Sequence, residues 1–593
     1  MFKKILTPWF DLTAVFLLVC ALTRDSDLLT NRFMNREDLP VLAGILVLGF
    51  LVRFMPGVDW LAGWLSRRLS GLRVLRQPLS PAWRWRTVLI LALGAGLAGW
   101  LGLRFVYLGY PLSMDEFMAT FDAAIFRHGE LMATIPAQWR VYVDALQPLF
   151  VQHLGGGAFW VSGYLPVSAA LRALGGLAGG ASLVNPILTA ISVVAVFGVG
   201  RRMWPQRPGL ALAAALLLAT SSQVLVGGMG AYAMPAHLAF NLVWLWLFLR
   251  GGWLGHAGAL AVGFLACGLH QLPFHPLFVA PFVAQLWLER RWRAAALYTV
   301  AYAAICLFWV EYWQIALATA QAGPAAPATA AAAAKQGAMG FYDQAQLILK
   351  DFEWSGVALM AKNLIRFATW QNPLTAPLLL LSAWGAFRAK GTTRSLILGF
   401  VTTLAAVFAL MPYQGHGWGY RYVHGLLGSA CLLAAWQWGR MTDPLSPAQR
   451  AGARGGFALA AAAALLILFP LRAWQAHRFA HPYALAAAAI RAAPTDFVLV
   501  DDRNVWFGVD LVRNDPYLRN RPLILHAEDL EEDQARALCA RGTISMFDSS
   551  VARRFGILRF NEYGTDADAA QLADDMHRWT CHGAPVRLVT AVR

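Results

Sequence analysis

Repeated apolar runs of about 16–23 residues are the feature that most constrains the fold of this chain. An α-helix rises about 1.5 Å per residue, so a run of this length crosses the hydrocarbon core of a bilayer. Backbone polar groups in lipid must be hydrogen-bonded within the segment itself, which favours helices. The runs are continuous rather than alternating, which argues against a β-barrel. The sequence therefore predicts a polytopic α-helical membrane protein.

About thirteen spans are expected, and their orientation follows from the basic residues. The spans are placed near 8–23, 39–55, 86–104, 182–201, 207–225, 235–250, 254–270, 274–288, 293–313, 373–388, 394–411, 422–438 and 455–472. Lys and Arg collect in alternate loops, which predicts a cytoplasmic N-terminus and a periplasmic or extracellular C-terminus in a bacterial inner membrane. These short loops also account for the net charge of +16, so no nucleic-acid partner is expected.

Three domains are expected from this layout. Residues 1–85 hold two spans and a basic cytoplasmic loop, and 86–472 form the membrane core. The core carries a large outer loop over 105–181 and an Ala-rich outer loop over 314–372, which we interpret as a flexible connection or a mobile lid. Within the first loop, 158–177 is interpreted as an interfacial or re-entrant helix, since another span would reverse the later loops. Residues 473–593 are charged and alternate β-rich with helical stretches, which predicts a periplasmic α/β domain.

Polar residues of the predicted outer face suggest the chemistry. A carboxylate at the membrane surface can deprotonate an acceptor, and an Arg can neutralise a phosphate through a forked contact. Tyr and His can donate hydrogen bonds to a developing charge. Together these groups suit sugar transfer from a lipid-phosphate carrier to a glycan, lipid or protein. The outer-face candidates are Asp115, Glu116, Tyr232, His237, His270, His275, His416, Arg421 and Tyr422.

Several short motifs resemble the GT-C membrane glycosyltransferases. An acidic pair follows a membrane helix in "SMDEF", a "GRR" turn joins two helices in Ser192–Gln223, and "GYRYVHGLLG" carries a late Arg-Tyr element. In layout the chain is similar to the bacterial lipid A aminoarabinose transferases and the protein O-mannosyltransferases. The likeness covers residues 86–440. It departs from the pattern in its two additional N-terminal spans and in lacking an acid in the second outer loop.

The resemblance implies an inverting transferase that uses a polyprenyl-phosphate sugar. It implies that Asp115 is the general base, with Glu116 beside it, and that Arg421 and Tyr422 contact the donor phosphate. Lys362 and Arg366, four apart in "MAKNLIRFATW", are a second basic pair for that phosphate on one helix face. Some members use a divalent ion, and Asp115 and Glu116 would be the residues to hold it.

Other interpretations of these residues remain open. The acidic pair could cap a helix that starts at Ser113, with both carboxylates in its first turn. The histidines could be hydrogen-bonded interface residues rather than metal ligands. Cys539 and Cys581, in the polar tail, could form a disulfide if that tail is exported. At the level of the whole chain, the alternatives to an enzyme are a transporter or flippase of lipid-linked sugars and a non-catalytic assembly subunit.

Overall fold

The computed structural model describes residues 2–23, 28–54, 80–147, 149–322, 355–415, 417–557, 580–581 and 584–590. The described residues fall into two compact units. One, here called the helical unit, is built from residues within 1–102, 183–310 and 339–476. The other, here called the mixed unit, is built from residues within 103–182, 311–338 and 477–593.

Long helices follow the apolar runs of the sequence. In chain order they are α1 (Phe2–Leu22), α2 (Leu28–Phe33), a π-helical turn (Met34–Asp38), α3 (Leu39–Phe54), α4 (Pro81–Phe105), α5 (Met114–Arg127), α6 (Val143–Leu146), α7 (Val167–Leu177), α8 (Val184–Met203), α9 (Pro208–Ala219), α10 (Ser222–Gly227), α11 (Met234–Arg250), α12 (Gly252–Cys267), α13 (Phe274–Leu288), α14 (Trp292–Ala322), α15 (Ser355–Thr369), α16 (Thr375–Arg388), α17 (Thr392–Leu410), α18 (Leu427–Thr442), α19 (Pro447–Ala463), a second π-helical turn (Ala464–Leu468), α20 (Phe469–Arg491), α21 (Glu532–Arg541) and α22 (Ser549–Arg554).

Every predicted span coincides with helix in this list. Six helical segments are long and apolar enough to cross a membrane: Ile5–Leu22, Pro81–Phe105, Ala181–Met203, Trp292–Ala322, Thr392–Leu410 and Pro447–Arg491. Shorter apolar helices include Pro208–Ala219, Gly252–Cys267 and Phe274–Leu288. These helices are those of a multi-pass membrane protein, while the predicted count of about thirteen spans stays a prediction.

Apolar side chains of α8, α9, α11 and α18 form a large part of the core of the helical unit. Small residues such as Ala211, Ala214 and Ala430 are fully buried there and let the helix backbones approach closely. A second cluster joins α1 and α3 to α15 and α16 through Trp9, Phe16 and Ile365. The two N-terminal helices therefore pack into the helical unit.

The mixed unit contains two main sheets. Strands β1 (Ala133–Thr134), β2 (Val151–Leu154) and β3 (Phe159–Ser162) form an antiparallel sheet in the order β1-β3-β2. Strands β4 (Phe497–Val500), β5 (Leu523–His526), β6 (Ile544–Phe547) and β9 (Arg587–Leu588) form a parallel sheet in the order β5-β4-β6-β9. A short antiparallel pair, β7 (Thr580–Cys581) and β8 (Ala584–Pro585), completes the strands of the described residues.

Residues 103–182 and the tail share one hydrophobic core. Trp160 of β3 is fully buried and donates from Nε1 to the carbonyl oxygen of Pro516 at 2.7 Å. Asn514 donates to the carbonyl oxygens of Leu146, at 2.8 Å, and Ile524, at 2.7 Å. These buried bonds explain why the compact units divide the chain differently from the predicted domain boundaries.

Residues 158–177, the predicted interfacial helix, are β3 followed by a turn and α7. Helix α7 has 11 residues. At about 1.5 Å per residue it is about half as long as the hydrocarbon core is thick. This segment therefore does not form a helix that crosses a bilayer, while the side on which it lies stays a prediction.

Candidate active site

The two adjacent acids of the mixed unit stand at the N-terminus of α5 and differ in role. Ser113 is the N-cap, as the sequence predicts, and its Oγ accepts the backbone N–H of Glu116 at 3.3 Å. Oε2 of Glu116 in turn accepts the backbone N–H groups of Leu112 at 2.8 Å and Ser113 at 3.2 Å. This reciprocal pair is a capping box, and the Glu116 side chain is fully buried within it. Glu116 therefore serves the helix cap.

Asp115, in contrast, is partly exposed. Its Oδ1 accepts a hydrogen bond from the phenol of Tyr164, which lies in the turn between β3 and α7. Sequence reasoning did not identify Tyr164, because 49 residues separate the two partners along the chain. Of the two acids, Asp115 is therefore the more exposed and takes no part in the capping box.

Ser162 and Asp122 fix the position of Tyr164. Ser162 donates to Asp122 through its backbone N–H, at 2.9 Å, and through Oγ, at 2.5 Å. Oγ of Ser162 also accepts the backbone N–H of Tyr164 at 3.3 Å. Burial raises the pKa of Asp122 to about 7, although both hydrogen bonds from Ser162 lower it. Asp122 lies two turns after Asp115 on α5. Helix α5 therefore carries both Asp115, which accepts the Tyr164 phenol, and Asp122, which holds Ser162 beside Tyr164.

Arg172 of α7 is a buried cation that sequence reasoning also missed. Its side chain is 5% exposed, and its Nε and Nη2 atoms find no hydrogen-bond partner among the described residues. Burial lowers the pKa of Arg172 to about 10, while the charge of Glu116 opposes that shift. The side chain is therefore cationic at neutral pH. A single Arg inside an otherwise apolar helix was the available signal.

A cleft in the helical unit brings several predicted residues together. Its lining includes His237 and Asn241 of α11, Phe274 of α13, and Arg421 and Tyr422 at the start of the turn before α18. Three candidates, His237 and the adjacent Arg421 and Tyr422, therefore share one cleft. The apolar part of the lining, from Met234, Phe274 and Leu426, suits a ligand with a hydrocarbon portion.

Arg421 is held in this cleft by aromatic rings and by its own backbone. Its guanidinium carbon lies 5.3 Å from the ring centroid of Tyr422 and 5.7 Å from that of Tyr232. Its backbone N–H donates to Oε1 of Gln414 at 3.0 Å. Stacked rings restrict the long side chain, which lowers the entropic cost of binding an anion.

His237 brings unused hydrogen-bonding capacity to the same cleft. Its side chain is 4% exposed, and neither ring nitrogen has a hydrogen-bond partner among the described residues. Oγ1 of Thr403, which also lines the cleft, is buried and has no hydrogen-bond partner among the described residues. Buried polar atoms in folded proteins are normally paired, so these atoms point to a ligand or ordered water.

The other predicted histidines have different surroundings. His270 and His275 both lie near His237. His275 is satisfied within the protein, since its ring nitrogens lie 2.7 Å from Oδ1 of Asn241 and 2.9 Å from the hydroxyl of Tyr302. This agrees with the alternative of a hydrogen-bonded histidine. His416 lies outside the described residues, as does most of the predicted loop 314–372.

Lys362 and Arg366 share one face of α15, where both contact the N-terminal segment. Nζ of Lys362 donates to Oδ1 of Asn31 at 2.6 Å. Nε of Arg366 lies 3.5 Å from Oδ2 of Asp38, and both of these side chains are almost wholly buried. The proposed donor phosphate would therefore compete with an existing carboxylate for Arg366.

The tail contains a disulfide and one cluster with metal-ligand spacing. Cys539 and Cys581 are joined by a disulfide with their Cα atoms 5.4 Å apart. Among the described residues, the group of three that could hold a metal ion is Asp502, His526 and Glu528, with ligand atoms within 4.8 Å of one another. Asp115 and Glu116, the predicted metal pair, accept protein hydrogen bonds, and their metal role stays a prediction.

These elements define a multi-pass membrane protein with an arginine-containing cleft and a separately held acid. No family model and no curated protein matches the chain. Among solved structures it is similar to ArnT from Cupriavidus metallidurans bound to undecaprenyl phosphate, with a TM-score of 0.46, 12% identity and coverage of 84% of this chain and 92% of that chain. For the apo state of the same enzyme the TM-score is 0.42 and the identity 13%, and the match covers 73% of this chain and 85% of that chain.

A further similarity is to the Archaeoglobus fulgidus oligosaccharyltransferase tethered to an acceptor peptide. Here the TM-score is 0.41 and the identity 12%, and the match covers 76% of this chain and 65% of that chain. At such identities and TM-scores, the residues of this chain must carry any functional proposal.

Proposed function

We propose that this protein is an inverting membrane glycosyltransferase that moves a sugar from a polyprenyl-phosphate carrier to an acceptor at the periplasmic face. The observation that carries the proposal is the difference between the two adjacent acids. Helix capping alone would explain Glu116, which is buried in the capping box. It does not explain Asp115, whose partly exposed carboxylate is held by the side chain of Tyr164.

Asp115 is proposed to act as the general base. An ionised carboxylate offers about four lone-pair sites, so Asp115 can accept the Tyr164 phenol and also a proton from an acceptor hydroxyl or amine. The acceptor atom then forms a bond to the anomeric carbon as the bond from that carbon to the phosphate oxygen breaks. Attack opposite the leaving phosphate inverts the configuration, Asp115 takes the proton, and the carrier leaves as a polyprenyl phosphate.

Arg421 is proposed to bind the phosphate of the donor. A guanidinium presents paired N–H donors that match phosphate oxygens, and its charge offsets the negative charge gained by the leaving phosphate. The rings of Tyr232 and Tyr422 orient Arg421, and His237 supplies further hydrogen-bonding capacity in the cleft. The apolar lining suits the first part of the lipid tail.

Sugar transfer tests the proposal directly. Purified wild type, Asp115→Asn, Glu116→Gln and Arg421→Lys would be compared in proteoliposomes with a labelled polyprenyl-phosphate sugar pool and membrane acceptors. We expect Asp115→Asn to abolish transfer but retain donor binding, and Arg421→Lys to weaken donor binding. Glu116→Gln should transfer sugar at a reduced thermal stability, since an amide oxygen can still accept the capping bonds.

The matched control is Asp144→Asn. Asp144 is an acid of the same unit, and its side chain is 80% exposed. The Asp144→Asn variant should therefore transfer sugar as the wild type does. Equal transfer by wild type and Asp115→Asn would remove the base assignment. Movement of the labelled lipid across the bilayer by wild type, without transfer, would favour a flippase. Absence of both activities with every donor pool would favour a non-catalytic subunit.

A further inference from the structure

The N-terminal segment contributes a buried carboxylate to the helical unit. Asp38 ends the π-helical turn before α3 and is fully buried. Its Oδ1 accepts hydrogen bonds from Oγ1 of Thr369 at 2.8 Å and from Nε1 of Trp370 at 3.0 Å. Nη2 of Arg472 lies 2.9 Å from the same oxygen. Because a buried charge is costly without partners, this site is held by its ion pairs and hydrogen bonds together.

Arg366 connects Asp38 to a different part of the unit. Its Nε lies 3.5 Å from Oδ2 of Asp38, and its guanidinium carbon lies 4.8 Å from the ring centroid of Phe33. At its other edge, Nη2 donates to the carbonyl oxygen of Gly417 at 2.5 Å. One guanidinium therefore contacts both the N-terminal segment and the loop that precedes Arg421.

That loop is fastened to α15 at a second point. Asn363, one turn before Arg366, donates from Nδ2 to the carbonyl oxygen of Pro412 at 2.9 Å. Gly417 has φ +140, and a Cβ added there would lie 3.2 Å from Cδ of Arg421. The chain thus needs glycine at the residue whose carbonyl Arg366 holds, because the backbone passes close to the Arg421 side chain.

The same loop sets the backbone of Arg421. Oε1 of Gln414 accepts the N–H of Arg421 at 3.0 Å, and Nε2 of Gln414 donates to the carbonyl oxygen of Gly419 at 3.0 Å. Gln223 donates to the carbonyl oxygen of Tyr420 at 2.8 Å. A displacement of Gly417 would therefore be transmitted to Arg421 over four residues of hydrogen-bonded backbone.

We propose that Asp38 is a positioning residue for Arg421, acting through Arg366 and the carbonyl of Gly417. The proposal rests on the proposed function only in naming the ligand of Arg421 as the donor phosphate. It makes the N-terminal helices, which lie outside the resemblance to the GT-C enzymes, part of the machinery that presents this cation. It also gives Arg366 a role that fits its burial.

Two variants and one control test this arrangement in the full-length protein. Asp38→Asn removes the charge that orients Arg366. Arg366→Lys keeps a cation beside Asp38, but the lysine side chain cannot also reach the carbonyl of Gly417. This variant can therefore still test the proposal if Asp38→Asn does not fold. Asp443→Asn is the control, since Asp443 pairs with Arg207 at 2.5 Å in the same unit at a half-exposed site.

The first measurement is hydrogen exchange of peptides that cover 417–421. Faster exchange in Asp38→Asn and Arg366→Lys, with no change in Asp443→Asn, is expected. Unchanged exchange in both test variants would overturn the proposal. This measurement needs no sugar transfer, so it separates failure of the positioning role from failure of the proposed function.

The second measurement is the KM for a labelled polyprenyl-phosphate sugar, or the Kd for polyprenyl phosphate if no transfer is found. Asp38→Asn should raise either constant about tenfold while leaving kcat within a factor of about three. When Asp38→Asn is added to the Arg421→Lys variant, the KM or Kd should change little further, because the guanidinium that Asp38 positions is already absent. A fall in kcat alone, or additive effects of the two substitutions, would overturn the proposal.

Discussion

Tyr164 donates a hydrogen bond from its phenol to Oδ1 of Asp115, although β1, α6, β2 and β3 all intervene along the chain. The interaction singles out one of two adjacent acids, because Glu116 is turned into the helix cap. A charge-assisted hydrogen bond of this kind fixes the direction of the remaining carboxylate lone pairs. The orientation of the proposed base therefore depends on a residue outside its own helix.

Replacement of Tyr164 by Phe should lower kcat without changing the KM for the donor. Loss of this hydrogen bond is expected to reduce kcat about tenfold, which corresponds to about 1.4 kcal/mol. The measurement is steady-state transfer from a labelled polyprenyl-phosphate sugar. Tyr517→Phe is the matched control, since the Tyr517 hydroxyl donates to Glu130 at 2.7 Å at an exposed site. A kcat loss of equal size in both variants would contradict the assignment.

Replacement of His237 by Phe should separate binding from stability. Both ring nitrogens of His237 are buried without a hydrogen-bond partner among the described residues, so an apolar ring should leave the melting temperature unchanged or raise it. Affinity for polyprenyl phosphate should fall, because the cleft loses polar groups. His256→Phe is the comparison, since His256 bonds to Tyr298 at 3.0 Å and should lose stability instead. A large drop in melting temperature for His237→Phe would show that the ring is structural.

The tail should lose stability at alkaline pH through His526. Burial alone lowers its pKa, but hydrogen bonds and charges from Asp502 and Asp529 dominate and raise the pKa from 6.5 to about 9. A folded-state pKa above the unfolded value gives stability that is complete below pH 6.5 and is lost as the pH rises through about 9. Thermal melts from pH 6 to 10 should show a decline of about 1–3 kcal/mol in wild type that His526→Gln lacks.

His153 provides a control of opposite sign. Burial lowers the pKa of His153, and the nearby Asp144 opposes that shift. Its contribution to stability is therefore complete above the unfolded pKa of 6.5 and is lost as the pH falls from that value through the lower folded pKa. The slope of stability against pH should differ between His153→Gln and wild type only at acidic pH. An identical pH profile for wild type and His526→Gln would contradict the charged state assigned to His526.

The disulfide between Cys539 and Cys581 should stabilise the tail. It closes a loop with a sequence separation of 42, for which the chain-entropy model gives about 3–4 kcal/mol. Maleimide labelling of the denatured protein should modify Cys20, Cys267, Cys306 and Cys431 without reductant and all six cysteines with it. The double Ser variant should melt at a lower temperature. Labelling of six thiols without reductant would show that the bond does not form in the cell.

Local features of this protein were predictable from sequence because they depend on neighbours along the chain. The run at 274–288 was predicted as a helix, and α13 is Phe274–Leu288. The "SMDE" pattern predicted a helix start with Ser113 as N-cap, which the capping box confirms. The stretch 158–177 was predicted as one interfacial or re-entrant helix, whereas its first part is β3 and only Val167–Leu177 is helical, since a short apolar run suits a helix and a buried strand equally.

By itself, the sequence determined that the chain is helical, is rich in apolar runs and places its acids at a helix start, because periodicity and capping act over a few residues. Tertiary structure alone decided that Tyr164 meets Asp115 and that Arg366 and Arg472 pair with Asp38. Asp38 and Arg472 pair across 434 residues, and Trp160 and Pro516 across 356. Such pairs form because a buried charge or N–H group must find a partner wherever packing brings one. The partner depends on the folded structure, so no repeating pattern in the sequence indicates it.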